Sequence, residues 1–175
     1  MAETPRTTGH HIALSEFARA FRYVPGAVAV VLVQTESGLV RGLTCTSVTS
    51  LSAAPPMALF SVDAKTRFAD ELRLSRHFSI NFLAAGLEDW ARAFAVGGQS
   101  LDSLVHAIHP GRSGVPTLAT GTSVVLECDL EEIFPGGDHW IITSRIVHAR
   151  TQSDAPALVY RAGQYGVFLS QSDET

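Results

Sequence analysis

The chain has 175 residues, of which 46% are hydrophobic and 17% are charged, and its formal net charge is −4. This composition is typical of one globular domain and excludes a disordered chain. The acidic balance and the lack of a Lys/Arg run argue against nucleic-acid binding through a broad basic face.

The sequence of the first half of the chain predicts a loose tail over residues 1–13, followed by a short helix and a series of strands. Leu14, Phe17, Ala18 and Phe21 share one helical face, and the Pro-Gly pair at 25–26 ends that helix. β-branched and alternating apolar residues predict strands, with a glycine turn at 35–38. These strands are predicted at residues 27–34, 39–44, 57–62 and 78–83.

The second half of the chain contains two more predicted helices, each with an apolar face, and ends in a series of predicted strands. One helix is predicted at 66–74, with Thr66 as its N-cap, and the next runs from about Leu87 to Phe94 and is closed by the glycines at 97–98. Residues 97–121 lack a periodic hydrophobic pattern, so we expect a long connection. Long connections in compact domains often serve as lids or binding loops. Further strands are predicted at residues 123–134, 139–148, 158–160 and 164–168.

Many strands with two or three short helices favour a mainly β fold over a βαβ fold. We therefore expect one domain over residues 14–170, a small antiparallel barrel with helices at its rim. The longest apolar run, 27–33, is too short to span a bilayer, and the polar N-terminus is not a secretory signal.

The two cysteines, Cys45 and Cys128, lie far apart in the sequence and outside any Cys-x-x-Cys motif. This spacing argues against a disulfide framework and a zinc site, so we expect buried thiols and a cytoplasmic location. The histidines at 10–11 are adjacent in the tail and do not share a face, and His106 and His109 lack a nearby cysteine or carboxylate, so we expect no metal site.

Residues 42–52 carry hydroxyls and open backbone N–H groups, which suit an oxygen-rich ligand such as a carbonyl, a ribityl chain or a phosphate. Composition alone favours the plainer alternative, a Thr/Ser-rich strand and turn. Ser47 lacks the Gly-x-Ser-x-Gly context of a serine hydrolase. The sequence also lacks a P-loop and a Rossmann glycine fingerprint.

Three further positions are candidates for binding. Lys65, Thr66 and Arg67 enter a helix, where cations and free N–H groups attract an anion, although a solvated helix cap is the alternative. His139 follows a tight turn at 135–138 and suits a cofactor amide or phosphate, or else lies at the surface. Asn81 suits a polar pocket, or is a satisfied structural amide.

In this order the segments resemble the flavin reductase-like family, which has the FMN-binding split-barrel fold, from about Phe21 to Phe168. The resemblance rests on Pro25-Gly26-Ala27-Val28-Ala29-Val30-Val31, on Gly42-x-Thr44-x-Thr46-Ser47-x-x-Ser50-x-Ser52 before Pro55-Pro56, on Phe78-Ser79-Ile80-Asn81-Phe82-Leu83, on Phe94-Ala95, on Leu126-Glu127-Cys128, on Gly137-Asp138-His139, and on residues 156–160 leading to Tyr165.

The resemblance implies a homodimeric split barrel with flavin at the subunit interface. Such a protein uses NADH or NADPH to reduce FMN or FAD and releases reduced flavin to a separate monooxygenase. The family pattern also assigns roles. Thr44, Cys45, Thr46 and Ser47 would line the isoalloxazine and ribityl chain with Ser50 and Ser52 nearby, Lys65, Thr66 and Arg67 would meet the phosphate, Asn81 would lie close to the flavin, and His139 and Tyr165 would face the nicotinamide.

The expected reaction is hydride transfer from nicotinamide C4 to flavin N5, with N–H groups near Thr46 and Ser47 stabilising charge at flavin N1/O2. Three features depart from the family pattern: Phe68, Trp140 and the 97–121 segment. The alternatives are a split barrel with tightly bound flavin, either oxidase-like or a flavin or haem carrier or sensor, and a flavin-free interaction module.

Overall fold

The computed structural model describes residues 12–95, 105–152 and 155–168. Its helices are α1 (Leu14–Arg22), α2 (Phe68–Ser75) and α3 (Glu88–Ala95). None of these described helices is long and apolar enough to cross a membrane. Its strands are β1 (Gly26–Ala27), β2 (Ala29–Gln34), β3 (Val40–Cys45), β4 (Thr49–Ala53), β5 (Pro56–Asp63), β6 (His77–Leu83), β7 (Ile108–Pro110), β8 (Pro116–Leu118), β9 (Thr122–Gly136), β10 (His139–Thr151), β11 (Ala157–Arg161) and β12 (Gln164–Phe168).

The protein is mainly β, as the sequence predicts, and its strand pairs are antiparallel. Seven strands form one sheet in the order β3-β2-β6-β9-β10-β5-β4. The long hairpin of β9 and β10 runs through its centre, and two smaller sheets, β1-β11-β12 and β7-β8, lie beside it. The architecture is an antiparallel split β-barrel with short helices at its rim.

Strand β2 is buried on both faces, which explains why its sequence is continuously apolar rather than alternating. Val31 and Val33 face one core cluster with Phe60, Phe78 and the α2 residue Leu72. Val30 and Leu32 face a second cluster that includes Ala91 and Phe94 of α3. The two clusters place α2 and α3 on opposite sides of β2.

Helix α1 forms where the sequence predicts it, but none of its residues is buried. Phe17 and Phe21 stack on each other with ring centroids 4.7 Å apart, and they remain 48% and 62% exposed. The apolar face of α1 is therefore a surface of the single chain. The predicted tail before it, residues 1–13, lies outside the described residues except for Ile12 and Ala13.

Helix α2 begins at Phe68, and its N-cap is Arg67 rather than the predicted Thr66. The Thr66 hydroxyl donates instead to the Asp63 carbonyl at 2.9 Å, because residues 63–66 form a tight turn in front of the helix. The Thr66 cap prediction is therefore wrong. The glycines predicted to close α3, at 97–98, lie outside the described residues.

The described part of the predicted 97–121 connection is a short hairpin, β7-β8, packed on the sheet. The Ser79 hydroxyl donates to the Pro116 carbonyl, and Asn81 accepts from the Leu118 N–H at 2.9 Å. The sequence misses these strands because each has only three residues and a proline.

A buried carboxylate, Glu127, anchors the turn of this hairpin. Its side chain is 7% exposed and accepts hydrogen bonds from the Arg112 N–H at 2.8 Å and from the N–H and hydroxyl of Ser113. Burial pushes the pKa of Glu127 upward, but these hydrogen bonds and nearby His148 outweigh it and lower the pKa below 4.5. Glu127 therefore stabilises the fold as a carboxylate.

Replacing Glu127 with glutamine is expected to lower the free energy of unfolding at pH 7 by about 1–3 kcal/mol, because the amide is a weaker acceptor. A group whose pKa is lowered by folding stabilises above its ordinary pKa, and that contribution is lost as pH falls through the folded-state pKa. The difference in the free energy of unfolding between the wild type and the variant should thus become smaller below pH 4.5. Urea unfolding at several pH values measures it, and a constant difference would contradict this role.

Candidate functional site

The loop at residues 46–48, between β3 and β4, lies against the outer edge of β5. The Ser47 hydroxyl accepts from the Ser61 N–H at 3.0 Å and donates to the Ser61 carbonyl at 3.2 Å. This hydroxyl is therefore used to attach the loop to β5. The Ser47 hydroxyl is thus not available to bind a ligand.

The other side of the loop is held by a close backbone approach. A Cβ added at Gly26 would lie 2.8 Å from the Thr46 Cβ and 3.2 Å from the Thr46 carbonyl oxygen, so only glycine fits without displacing the loop. Thr46 is exposed. Within the described residues, no hydrogen bond uses the backbone N–H of Thr46 or Val48. The loop thus presents fixed, unpaired donors at the surface.

The turn at residues 63–67 lies beside His139. The two segments are joined because His139 pairs with Asp63 in register, and the Ala64 N–H donates to the Asp138 carbonyl at 3.0 Å. Asp63 also shapes its own turn by accepting from the Lys65 N–H at 2.8 Å. Lys65, Thr66 and Arg67 are therefore brought next to the predicted nicotinamide residue.

His139 is oriented by its neighbour. Its Nδ1 lies 2.7 Å from an Asp138 carboxylate oxygen, and its side chain is 43% exposed. The hydrogen bond and charge of His139, together with Lys65, lower the pKa of Asp138. Asp138 therefore stays ionised and fixes Nδ1, which leaves Nε2 to meet a ligand.

A groove of about 650 Å³ opens next to the same turn. Thr66, Arg67 and Phe68 line one side, and Gly42 and Phe94 line another. A Cβ at Gly42 would lie 2.3 Å from the Phe94 ring, so glycine is required there for α3 to pack on β3. The groove has the size of a small-molecule site and borders the 63–67 cations.

Four predicted residues of the hydroxyl-rich segment differ in where their side chains lie. The Thr44 hydroxyl donates to the Ala91 carbonyl of α3 at 2.8 Å, away from the loop. Cys45 packs against the barrel core, and burial raises its pKa to about 12. Ser52 accepts from the Ala54 N–H at 3.2 Å, while Ser50 is exposed on β4. Thr44 and Cys45 can therefore contribute backbone rather than side chains to a site at the loop.

Asn81 does not face this site. It is fully buried, and its amide donates to the Val30 carbonyl and the Ser79 hydroxyl at 3.0 and 2.8 Å, while its oxygen accepts from Leu118. All three partners are in the chain itself. Its assignment as a flavin contact is therefore corrected: Asn81 is the satisfied structural amide that the sequence left as the alternative.

Tyr165 lies at the small sheet rather than beside His139. Its ring is 5.2 Å from that of Tyr160, and the Arg92 guanidinium stacks over it at 4.8 Å. Burial raises the pKa of Tyr165, although Arg92 acts in the opposite direction. Among the described residues, Tyr165 packs against the core cluster of Val30, Leu32 and Phe94, while His139 is bonded to Asp138 at the start of β10. The two predicted nicotinamide residues therefore belong to different parts of one copy.

Two of the departures from the family pattern have structural explanations. Phe68 is 7% exposed and belongs to the barrel core, so it is a packing residue of α2. Trp140 packs against the same core under the Arg73 guanidinium, 4.9 Å from the ring centroid. Because neighbouring strand residues point to opposite faces, Trp140 points away from His139. Neither side chain intrudes on the loop.

Sequence reasoning misses Gly26, Ser61 and Asp138 as residues that hold the site. For Asp138 the sequence did contain a clue, because a carboxylate directly precedes His139. Ser61 is a polar residue on the outward face of a strand, and Gly26 reads as a helix terminator, so neither signals its contact with the loop. Those contacts depend on which strands become neighbours.

The residues present fit a flavin. The fixed N–H donors at 46–48 suit the carbonyl edge of an isoalloxazine, and the cations at 65 and 67 suit a phosphate. Gly26 and Ser61 hold the loop open from opposite sides.

Comparison with known proteins supports this fit. The sequence is 30% identical over 164 residues to an NADH-dependent FAD reductase from Streptomyces globisporus, covering 91% of this chain and 88% of that protein. It is 32% identical over 152 residues to the reductase component of a 4-nitrophenol monooxygenase from Rhodococcus opacus, covering 85% and 80%.

The fold comparison agrees. The structure of the Streptomyces globisporus NADH:FAD oxidoreductase SgcE6 in complex with NAD and FAD fragments superposes with a TM-score of 0.81 at 29% identity, covering 91% of this chain and 94% of that one. The model of the flavin reductase like domain family matches residues 21–168. With that match over most of its length, the chain belongs to the flavin reductase like domain family.

Proposed function

We propose that this protein is an NAD(P)H-dependent flavin reductase that delivers reduced FMN or FAD to a separate monooxygenase. The supporting observation is the loop at 46–48, which is bonded to Ser61 near the C-terminal end of β5. The turn with Lys65 and Arg67 leaves β5 at that same end, where Asp63 pairs with His139 on the neighbouring strand. The similar proteins support the same assignment, because they include an NADH-dependent FAD reductase and a monooxygenase reductase component.

The residues of the chain bind and orient rather than react. A bound flavin supplies the redox chemistry by accepting a hydride from the nicotinamide. The N–H groups of Thr46 and Val48 would hold the polar edge of the flavin and stabilise negative charge there. Lys65 and Arg67 would bind the phosphate, and the adjacent groove has room for the rest of a nucleotide. His139, held by Asp138, would position the nicotinamide.

We also propose that the protein is a homodimer. Helix α1 leaves Phe17 and Phe21 exposed, and Phe168 at the small sheet is 65% exposed. Large apolar side chains left exposed in this way are typical of a protein interface. A second copy would also allow His139 and Tyr165 from different chains to reach one site. Its two free cysteines suit the reducing cytoplasm, where we place it.

Replacing His139 with alanine is expected to raise the KM for NADH or NADPH about tenfold or more, because one hydrogen bond to a bound cofactor is lost. The flavin dissociation constant should change little, since the flavin donors lie at 46–48. Steady-state kinetics with the flavin held saturating measures the first value, and fluorescence titration measures the second.

His77→Ala is the matched control, because His77 also pairs with an aspartate, Asp129, at 2.7 Å on another part of the sheet. Its kinetics should match those of the wild type. Unchanged nicotinamide kinetics in His139→Ala would contradict the positioning role. Flavin colour that survives gel filtration would favour the tightly bound alternative over a reductase that releases its flavin.

A further inference from the structure

A second cavity, of about 370 Å³, lies between the β7-β8 hairpin and β10 and shares no lining residue with the proposed flavin site. Its lining is unusually basic. His109 and Arg112 come from the hairpin, His148 and Arg150 come from β10, and Glu127 of β9 is its acidic member. Four side chains that carry or can gain a positive charge thus converge on one small cavity.

The hairpin side of the cavity is built with a fixed geometry. Glu127 accepts the Arg112 N–H at 2.8 Å, and Thr117 donates its hydroxyl to the His109 carbonyl at 3.1 Å. A Cβ at Gly111 would lie 2.6 Å from a Glu127 carboxylate oxygen, so only glycine allows this approach. The backbone that carries Arg112 is therefore held in place, while its guanidinium has no hydrogen-bond partner among the described residues.

The strand side is fixed as well. The Arg150 guanidinium donates to the carbonyls of Leu118 and Ala119 at 3.0 and 3.5 Å, and to the Thr122 hydroxyl at 3.4 Å. These bonds use Nη1 and Nη2, and they leave Nε–H without a partner in the described chain. His148 pairs with Glu127 in register across β9 and β10, and its ring lines the cavity.

The charge balance favours an anion. Both oxygens of Glu127 already accept hydrogen bonds from residues 112–113, so this carboxylate is occupied. The two arginines outnumber it, and His109 and His148 add positive charge when protonated. These five are the titratable or charged groups that line the cavity from the hairpin, β9 and β10. The lining therefore carries more positive than negative charge, which favours an anion.

We propose that this cavity binds a doubly charged tetrahedral oxyanion, either free phosphate or the phosphate group of a nucleotide. The Arg112 guanidinium, the Arg150 Nε–H and the imidazoles supply directed donors of the type that such anions bind. The Nε2 of His109 already lies 3.1 Å from the His106 carbonyl, so its Nδ1 is the ring atom left for a ligand. Neither the flavin loop nor the 63–67 turn takes part, so the site stands apart from the proposed reductase activity.

The test is a titration with sodium sulfate, whose charge stays constant between pH 6 and 8, at fixed ionic strength and followed by NMR. Saturable shifts are expected at the Arg112 amide and the His109 and His148 rings. Arg112→Ala should weaken binding about tenfold or more.

Arg145→Ala is the control, because it also removes one arginine charge. Arg145 lies on β10 outside the cavity, at an exposed position where it pairs with Glu131. This variant should bind sulfate like the wild type. Displacement of sulfate by NADP⁺ but not by NAD⁺ would support a nucleotide phosphate, and displacement by inorganic phosphate alone would support free phosphate. Shifts that do not saturate, failure of both phosphate and NADP⁺ to displace sulfate, or equal losses in Arg112→Ala and Arg145→Ala would overturn the proposal.

Discussion

Replacing Asn81 with alanine is expected to lower the free energy of unfolding by about 3–5 kcal/mol, because the buried Val30 carbonyl, Leu118 N–H and Ser79 hydroxyl each lose a partner. The flavin affinity of the folded protein should be unchanged, since the side chain faces the β7-β8 hairpin rather than the loop at 46–48.

Urea unfolding measures the stability, and flavin fluorescence titration well below the unfolding midpoint measures the affinity. Ser50→Ala is the control, because Ser50 is exposed on β4 and should lose little stability. Asn81→Ala with near wild-type stability but weakened flavin binding would contradict the structural role. It would return Asn81 to the cofactor site.

Gly26→Ala is expected to raise the flavin dissociation constant about tenfold while the barrel still folds, because a misplaced hydrogen-bond donor costs about 1.4 kcal/mol or more. The new methyl group would lie 2.8 Å from the Thr46 Cβ. Contacts that short do not persist, so the loop must move. Its N–H groups would then no longer match the flavin edge.

Gly166→Ala provides the matched control. Gly166 lies on β12 of the same small sheet, and a Cβ there meets no atom within 4 Å. Both variants change one strand glycine to alanine, so backbone effects should be similar. Equal flavin affinity in the two variants would show that the position of the loop does not govern binding.

The sequence predicts the barrel well because its strands carry local signals. The continuous apolar run of β2 and the alternation in β9 both follow from which faces are buried. The β7-β8 hairpin lacks such a signal, because its strands are three residues long and contain prolines. Its formation depends on contacts with Ser79, Asn81 and Glu127, which are distant in sequence.

Part of the candidate site could likewise be predicted from the sequence, and part could not. The sequence locates Lys65 and Arg67 directly after β5 and His139 at the start of β10, because both strands carry a local signal. Their roles toward a phosphate and a nicotinamide stay predictions. The orientation of Asn81 could not be predicted, since it depends on the hairpin that covers β6. Likewise, the hydroxyls of Thr44 and Ser47 are bonded to α3 and β5, which composition does not reveal.

Oxidation of NADH and of NADPH by the purified protein, with FMN, FAD and riboflavin each omitted in turn, measures whether this protein is a flavin reductase. Nicotinamide is expected to be consumed only when a flavin is present, and Gly26→Ala is expected to need more flavin to reach half the maximal rate. A protein that neither binds any of the three flavins nor oxidises either nicotinamide in their presence would contradict the proposed function.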